Sequence, residues 1–217
     1  MSFSKELIHI YELLYDCYGP QNWWPGETSD EIIIGALLTQ NTNWKNVEIA
    51  IDNLKTNNLL ILENIHNAEL NIISKCILSS GYYNQKAERL KDIAKFFCSN
   101  YSKNFATSSL YEKRNALLGL KGIGPETADS ILLYAFLEPI FVVDTYTKRI
   151  FQRLAYFSGK ESYSNIQKFF MNNIRKDVTL FNEFHALLVH HAKECCQKNP
   201  HCSKCVLIKI CKYENNI

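Results

Sequence analysis

The chain reads as an all-α protein. Apolar residues recur at helical spacing along most of its length, no segment alternates apolar and polar residues between hairpin turns, and capping residues punctuate the periodic stretches. Residues 3–18 place Phe3, Leu7, Ile10, Leu14 and Tyr18 on one helical stripe, which Gly19-Pro20 ends. Thr28-Ser29-Asp30-Glu31 supplies caps for a helix through Leu38. Trp44, Val47, Ile51 and Leu54 mark the next helix, over 44–55. The same spacing predicts helices over 67–78, 84–99, 108–118, 126–137, 145–157, 162–174 and 180–193. No low-complexity tract, simple repeat or Gly/Ser linker divides the chain.

At 217 residues the chain has room for one large domain or two small ones. A hydrophobic fraction of 47% with 21% charged residues excludes a disordered chain, a collagen and a coiled coil. Uncharged apolar runs such as 32–38 and 131–137 stop at seven residues, whereas a membrane span needs about 20. The start, MSFSKELIHIYELL, carries an early acid and no small-residue cleavage site, so it is not a secretory signal and a cytoplasmic location is expected. Stable disulfides are rare there, so the 8 cysteines call for another use. The net charge of +2 hides an asymmetry: residues 1–144 hold 12 Lys+Arg and 17 Asp+Glu, and residues 145–217 hold 12 and 5. The basic third either attracts a polyanion or is a solvated surface.

The central stretch LLGLKGIGPETADSILLYA (117–135) reads as two helices joined by a glycine turn. Gly119, Gly122 and Gly124 permit positive φ, and Pro125 suits the first turn of the following helix. Such a turn is either an ordinary connector or an anion site, with backbone N–H groups at a helix N-terminus and Lys121 beside them. Asp144, in FVVDTYTKRIFQRLA (141–155), follows an apolar run and precedes Thr145, the position of an N-cap. A helix N-terminus would also keep that carboxylate ionised, ready to stabilise a cationic transition state or to deprotonate water. Near the C-terminus, Cys195, Cys202, Cys205 and Cys211 follow the spacing C-x6-C-x2-C-x5-C. Four thiolates this close can converge on one soft metal centre, and spacing alone leaves zinc and an iron–sulfur cluster both open. Cys17, Cys76 and Cys98 fall in helical segments and read as small core residues.

Taken together, LKGIGPETA (120–128) followed by VVDTY (142–146) resembles the helix-hairpin-helix and Gly/Pro-Asp signature of base-excision DNA glycosylases, in the endonuclease III group. GALLTQNTNWKNV (35–47), SGYYNQKAERL (80–90) and the C-terminal cysteines occur in that family's order. The resemblance implies two helical lobes with a cleft between them. One lobe covers 25–136 and ends in the hairpin; the other comprises 1–24 plus 137–217, with Asp144 and a cluster loop. It further implies a [4Fe-4S] cluster on Cys195, Cys202, Cys205 and Cys211, with Cys196 an extra neighbour. Its role would be structural, and Lys198, Lys204, Lys209 and Lys212 around it would meet DNA. The expected partner is double-stranded DNA containing a damaged base, met by a monomer associated with the nucleoid.

Two departures from the family pattern narrow the expected chemistry. Bifunctional members carry a nucleophilic lysine two residues after the last hairpin glycine, where this chain has Glu126, and a carboxylate cannot form the imine. Adenine-mismatch members carry a catalytic glutamate five residues before the residue matching Gln40, where this chain has Gly35. The expectation is therefore base release by water, with Asp144 as the catalytic group and no strand cleavage. The WWPGE…LLTQNTNW arrangement resembles the 3-methyladenine glycosylase branch, which implies a base pocket from Trp23, Trp24, Pro25 and Trp44. Indole faces attract a cationic alkylpurine by about 0.5–2 kcal/mol per contact, and stacking offsets part of the cost of flipping the base out. Gln40 matches the residue that fills the vacated gap, and Tyr82 matches an inserted wedge. With Lys121, Gly122 and Gly124, these are the expected DNA contacts.

Overall fold

The computed structural model describes residues 2–23, 26–99 and 104–213, and every regular element among them is helical. Trp24 and Pro25, two of the expected pocket residues, lie outside the described residues. The chain forms two compact units, one of residues 1–23 with 139–217 and one of residues 24–138.

In the first unit α1 (Phe3–Tyr18) buries Leu7, Ile10 and Leu14, and Gly19 caps it at φ +67° with its N–H donating to the Tyr15 carbonyl. Helices α9 (Thr145–Arg153), α10 (Tyr163–Asn173) and α11 (Val178–Glu194) complete the helical part. Their N-caps are Asp144, Ser162 and Asp177, each accepting a backbone N–H three residues on. The core is aromatic: Phe141, Phe151, Phe170, Phe181 and Phe184 are fully buried, and Phe141 stacks on Phe170 at 4.0 Å. Each contributes about 1.5–3 kcal/mol through burial.

The second unit is built round α2 (Ser29–Leu38), whose residues Ile33 to Leu38 are all buried. Thr28 caps it, and the Asp30 carboxylate accepts the Leu62 N–H at 2.8 Å. It packs against α3 (Trp44–Thr56) and α6 (Tyr83–Cys98). The expected helix over 67–78 is instead α4 (Leu62–Asn67) and α5 (Leu70–Cys76), broken where Ala68 turns extended at ψ 154°. Helix α7 (Leu110–Leu118) begins with a Ser109/Glu112 capping box. Helix α8 (Pro125–Ser130) then widens into a π turn over Ile131–Ala135. That segment stops short of the expected 137, because Phe136 leaves helical backbone and Leu137 turns left-handed at φ +54°. The Glu138 N–H turns back to the Leu132 carbonyl at 2.9 Å. Cys76 is buried as expected, but Cys17 and Cys98, each in the last turn of its helix, are exposed.

Candidate active site and metal centre

Asp144 follows the buried apolar run Ile140 to Val143 and caps α9. Its Oδ1 accepts the Thr147 N–H at 2.7 Å. Its Oδ2 lies 3.6 Å from Nε2 of His185 on α11, an electrostatic contact longer than a hydrogen bond. Both side chains are nearly enclosed, at 8% exposed for Asp144 and 5% for His185. Burial pushes the carboxyl up, but the imidazole and the Thr147 N–H outweigh it, so its pKa falls below the ordinary 3.8. A desolvated carboxylate that stays ionised at neutral pH interacts strongly with any cation brought beside it. His185 carries no signal in the sequence, since it lies 41 positions from Asp144 on an apolar helix.

The expected DNA contacts fall in the other unit. Lys121, Gly122 and Gly124 form the exposed turn between α7 and α8. Of the three glycines only Gly122 has positive φ, at +81°, while Gly119 and Gly124 are at −71° and −89°. At those two positions a Cβ would meet nothing closer than 3.4 Å, so only Gly122 is required to be glycine by its surroundings. Beneath Gly122 lies the Arg89 guanidinium. Gln40 joins them: its Nε2 donates to the Gly122 carbonyl at 3.0 Å and to Thr127 Oγ1 at 2.9 Å. Its Oε1 accepts from Arg89 at 2.8 Å. The gap-filling candidate is thus docked on the hairpin by a network invisible to sequence spacing. The hairpin itself is clamped by Arg114, which grips the fully buried Asp129 carboxylate with two bonds, at 2.7 and 3.1 Å. Glu126 occupies the first turn of α8.

Tyr82 is 67% exposed and holds left-handed backbone at φ +47°, directly after Gly81 at +70°. That conformation costs a tyrosine roughly 1–3 kcal/mol and projects the ring outward at the start of α6. Trp44 opens α3, half-buried, with Nε1 donating to Glu48 at 2.9 Å. Trp23, half-buried in the other unit, has the Lys193 ammonium 5.8 Å from its ring centre.

The cysteine loop follows α11. The Cys195 N–H returns to the His191 carbonyl, the His201 N–H to Cys195, and the Cys205 N–H to Cys202, winding the chain tightly. The thiols of Cys195 and Cys205 and a ring nitrogen of His191 lie within 4.8 Å of one another. Burial pushes the Cys205 thiol up to about 12 and raises Cys195; the neighbouring Cys195 raises Cys205 further, whereas the hydrogen bond between them lowers Cys195. Paired buried thiols of this kind ionise readily only beside a cation, so the donor chemistry fits a soft metal group. Cys202 and Cys211 lie half-buried on the same loop, Cys211 with its Sγ 3.6 Å from the Arg153 carbonyl. Cys196 instead accepts from Arg153, at 3.1 Å. The same guanidinium holds the Gln197 and Lys198 carbonyls. No helix among the described residues is long and apolar enough to cross a membrane.

The chain is 46% identical over 212 residues to a provisionally named DNA repair glycosylase of Methanocaldococcus jannaschii, covering 95% of this chain and 96% of that protein. It is 31% identical over 182 residues to endonuclease III of Sulfolobus acidocaldarius, covering 83% and 80%. Its fold matches a crystal structure of H. pylori 3-methyladenine DNA glycosylase bound to 1,N6-ethenoadenine with a TM-score of 0.76 and 29% identity, covering 89% and 98%. Residues 34–176 match the family described as HhH-GPD superfamily base excision DNA repair protein. The chain belongs to that superfamily and is a DNA glycosylase of base excision repair.

Proposed function

We propose that the protein is a monofunctional glycosylase that hydrolyses the N-glycosidic bond of alkylated purines such as 3-methyladenine in double-stranded DNA. The observation that carries the reading is the enclosed, ionised Asp144 at the N-terminus of α9, with His185 behind it. A purine alkylated on its ring carries positive charge while attached to the sugar. As the C1′–N bond breaks, the electron pair goes to the base, which leaves neutral, and the positive charge passes to the sugar. The Asp144 carboxylate stabilises that charge electrostatically. A water oxygen then bonds to C1′, and its proton passes to the carboxylate and on to solvent. The product is an abasic site. Glu126 supports hydrolysis without strand cleavage, since no amine stands at that position. Trp23, Trp24, Pro25 and Trp44 are assigned to the base pocket, and the likeness to the H. pylori enzyme supports the alkylpurine preference.

On the DNA side, Lys121, Gly122 and Gly124 would meet backbone phosphate, Tyr82 would wedge the duplex open, and Gln40 would leave the hairpin to fill the gap. Cys195, Cys202, Cys205 and Cys211 would hold a [4Fe-4S] cluster. When bound, it supplies iron–thiolate bonds that fix a segment with few apolar residues of its own. A second reading, an endonuclease III-like glycosylase and lyase for oxidised pyrimidines, is favoured by the likeness to the Sulfolobus protein. Chromatography of bases freed from methylated DNA, with borohydride trapping in parallel, separates the two. Release of 3-methyladenine without a trapped adduct is expected; release of oxidised pyrimidine with an adduct would overturn the proposal.

A further inference from the structure

We infer that His191 is a positioning residue of the cysteine centre, its Nε2–H donating a hydrogen bond to the Cys205 thiolate while Tyr18 fixes its tautomer. The inference rests on the four-cysteine cluster assigned above. His191 lies in the last turn of α11 and is 1% exposed, so protein atoms enclose its ring. Its two nitrogens have separate partners. Nδ1 lies 2.9 Å from the Tyr18 hydroxyl at the end of α1, and Nε2 lies 3.6 Å from Cys205 Sγ. In a neutral imidazole one nitrogen accepts and the other donates. A Tyr18 O–H donating to Nδ1 leaves the proton on Nε2, aimed at sulfur. The hydroxyl is the natural donor here, because a thiolate can only accept. The 3.6 Å separation suits N–H···S, since sulfur is larger than oxygen. His191 also anchors the loop through its carbonyl, which accepts the N–H groups of both Cys195 and Cys196. Ring and backbone together tie α1, α11 and the cysteine loop at one point.

Hydrogen bonds to cluster sulfurs stabilise the more negative, reduced state and so raise the reduction potential. Removing this one lowers it. The full chain is purified without oxygen, and iron, acid-labile sulfide and zinc are measured for wild type, His191→Gln, His191→Phe and Tyr18→Phe. Voltammetry then gives the potential and resonance Raman the iron–thiolate stretch. The expected result is unchanged iron and sulfide in every variant, with a lower potential in His191→Phe and a smaller fall in Tyr18→Phe. The iron–thiolate stretch should move up, because a thiolate relieved of a hydrogen bond binds iron more strongly. His191→Gln, whose amide can still donate, should recover part of the shift. A potential and stretch unmoved in both His191→Phe and Tyr18→Phe, with the cluster intact, would overturn the role of His191 alone. Loss of metal from His191→Gln with Tyr18→Phe unaffected would overturn it too, by making the imidazole a ligand. Zinc in place of iron and sulfide in the wild type would instead overturn the cluster reading beneath it.

Discussion

Replacing Gly122 by alanine tests the network that holds Gln40 on the hairpin. A Cβ there would lie 2.6 Å from Arg89 Cδ and 2.7 Å from Cζ, with Nε closer still. These atoms belong to a flexible side chain, so Arg89 would swing away and lose its 2.8 Å bond to Gln40. A charge-assisted bond of this kind contributes about 1.5–3 kcal/mol. The backbone adds a second cost, because φ of +81° burdens an L side chain by about 1–2 kcal/mol. The expected loss is therefore about 2.5–5 kcal/mol, read from urea unfolding followed by circular dichroism. A double-mutant cycle separates the two contributions. In an Arg89→Ala background both the clash and the bond are gone, so Gly122→Ala should cost only the backbone share, about 1–2 kcal/mol. An equal cost in the two backgrounds, or a loss under about 0.5 kcal/mol in wild type, would refute the reasoning.

Other expectations follow from individual contacts. Asp129→Ala strands the Arg114 guanidinium against a buried hole and should cost about 3 kcal/mol in unfolding experiments, loosening the hairpin. Lys86 is buried, donates to the Leu38 and Ser80 carbonyls, and is lowered to about 8 from 10.5 by burial and by Arg89. The unfolded chain therefore binds more protons between those values, and wild-type stability gains from this group as pH rises through them. Lys86→Met should be less stable throughout, with a deficit that widens over the same interval in pH-dependent denaturation. His185→Ala removes a group that holds Asp144 low. Activity requires the ionised carboxylate and is lost as pH falls through its pKa, so the acid limb of the rate profile should move to higher pH in the variant; an unmoved limb would remove His185 from the account.

Chemistry written in local order was readable from the sequence, and chemistry made by tertiary approach was not. Asp144 as an N-cap follows from the few residues round it, and the cap is there. Ser109, Ser162 and Thr28 cap their helices for the same reason. His185, Arg89 and His191 are different, since each matters through a partner far along the chain or on another element. Periodicity also misjudged helix ends. Cys17 continues the stripe of Leu7, Ile10 and Leu14, yet it is exposed, one residue before α1 ends. The π turn after α8 left no mark in the apolar pattern, which a wider turn satisfies equally well. The break at Ala68 lacks the glycine or proline that usually announces one.

The central claim is that a negative charge at position 144 drives departure of the base. Asp144→Asn tests it with little structural disturbance, because an asparagine oxygen can still accept the Thr147 N–H and cap α9. Single-turnover release of 3-methyladenine from a duplex should fall by about 100-fold or more, while the melting temperature and duplex affinity stay close to wild type. Release at the wild-type rate by the folded variant would contradict the account.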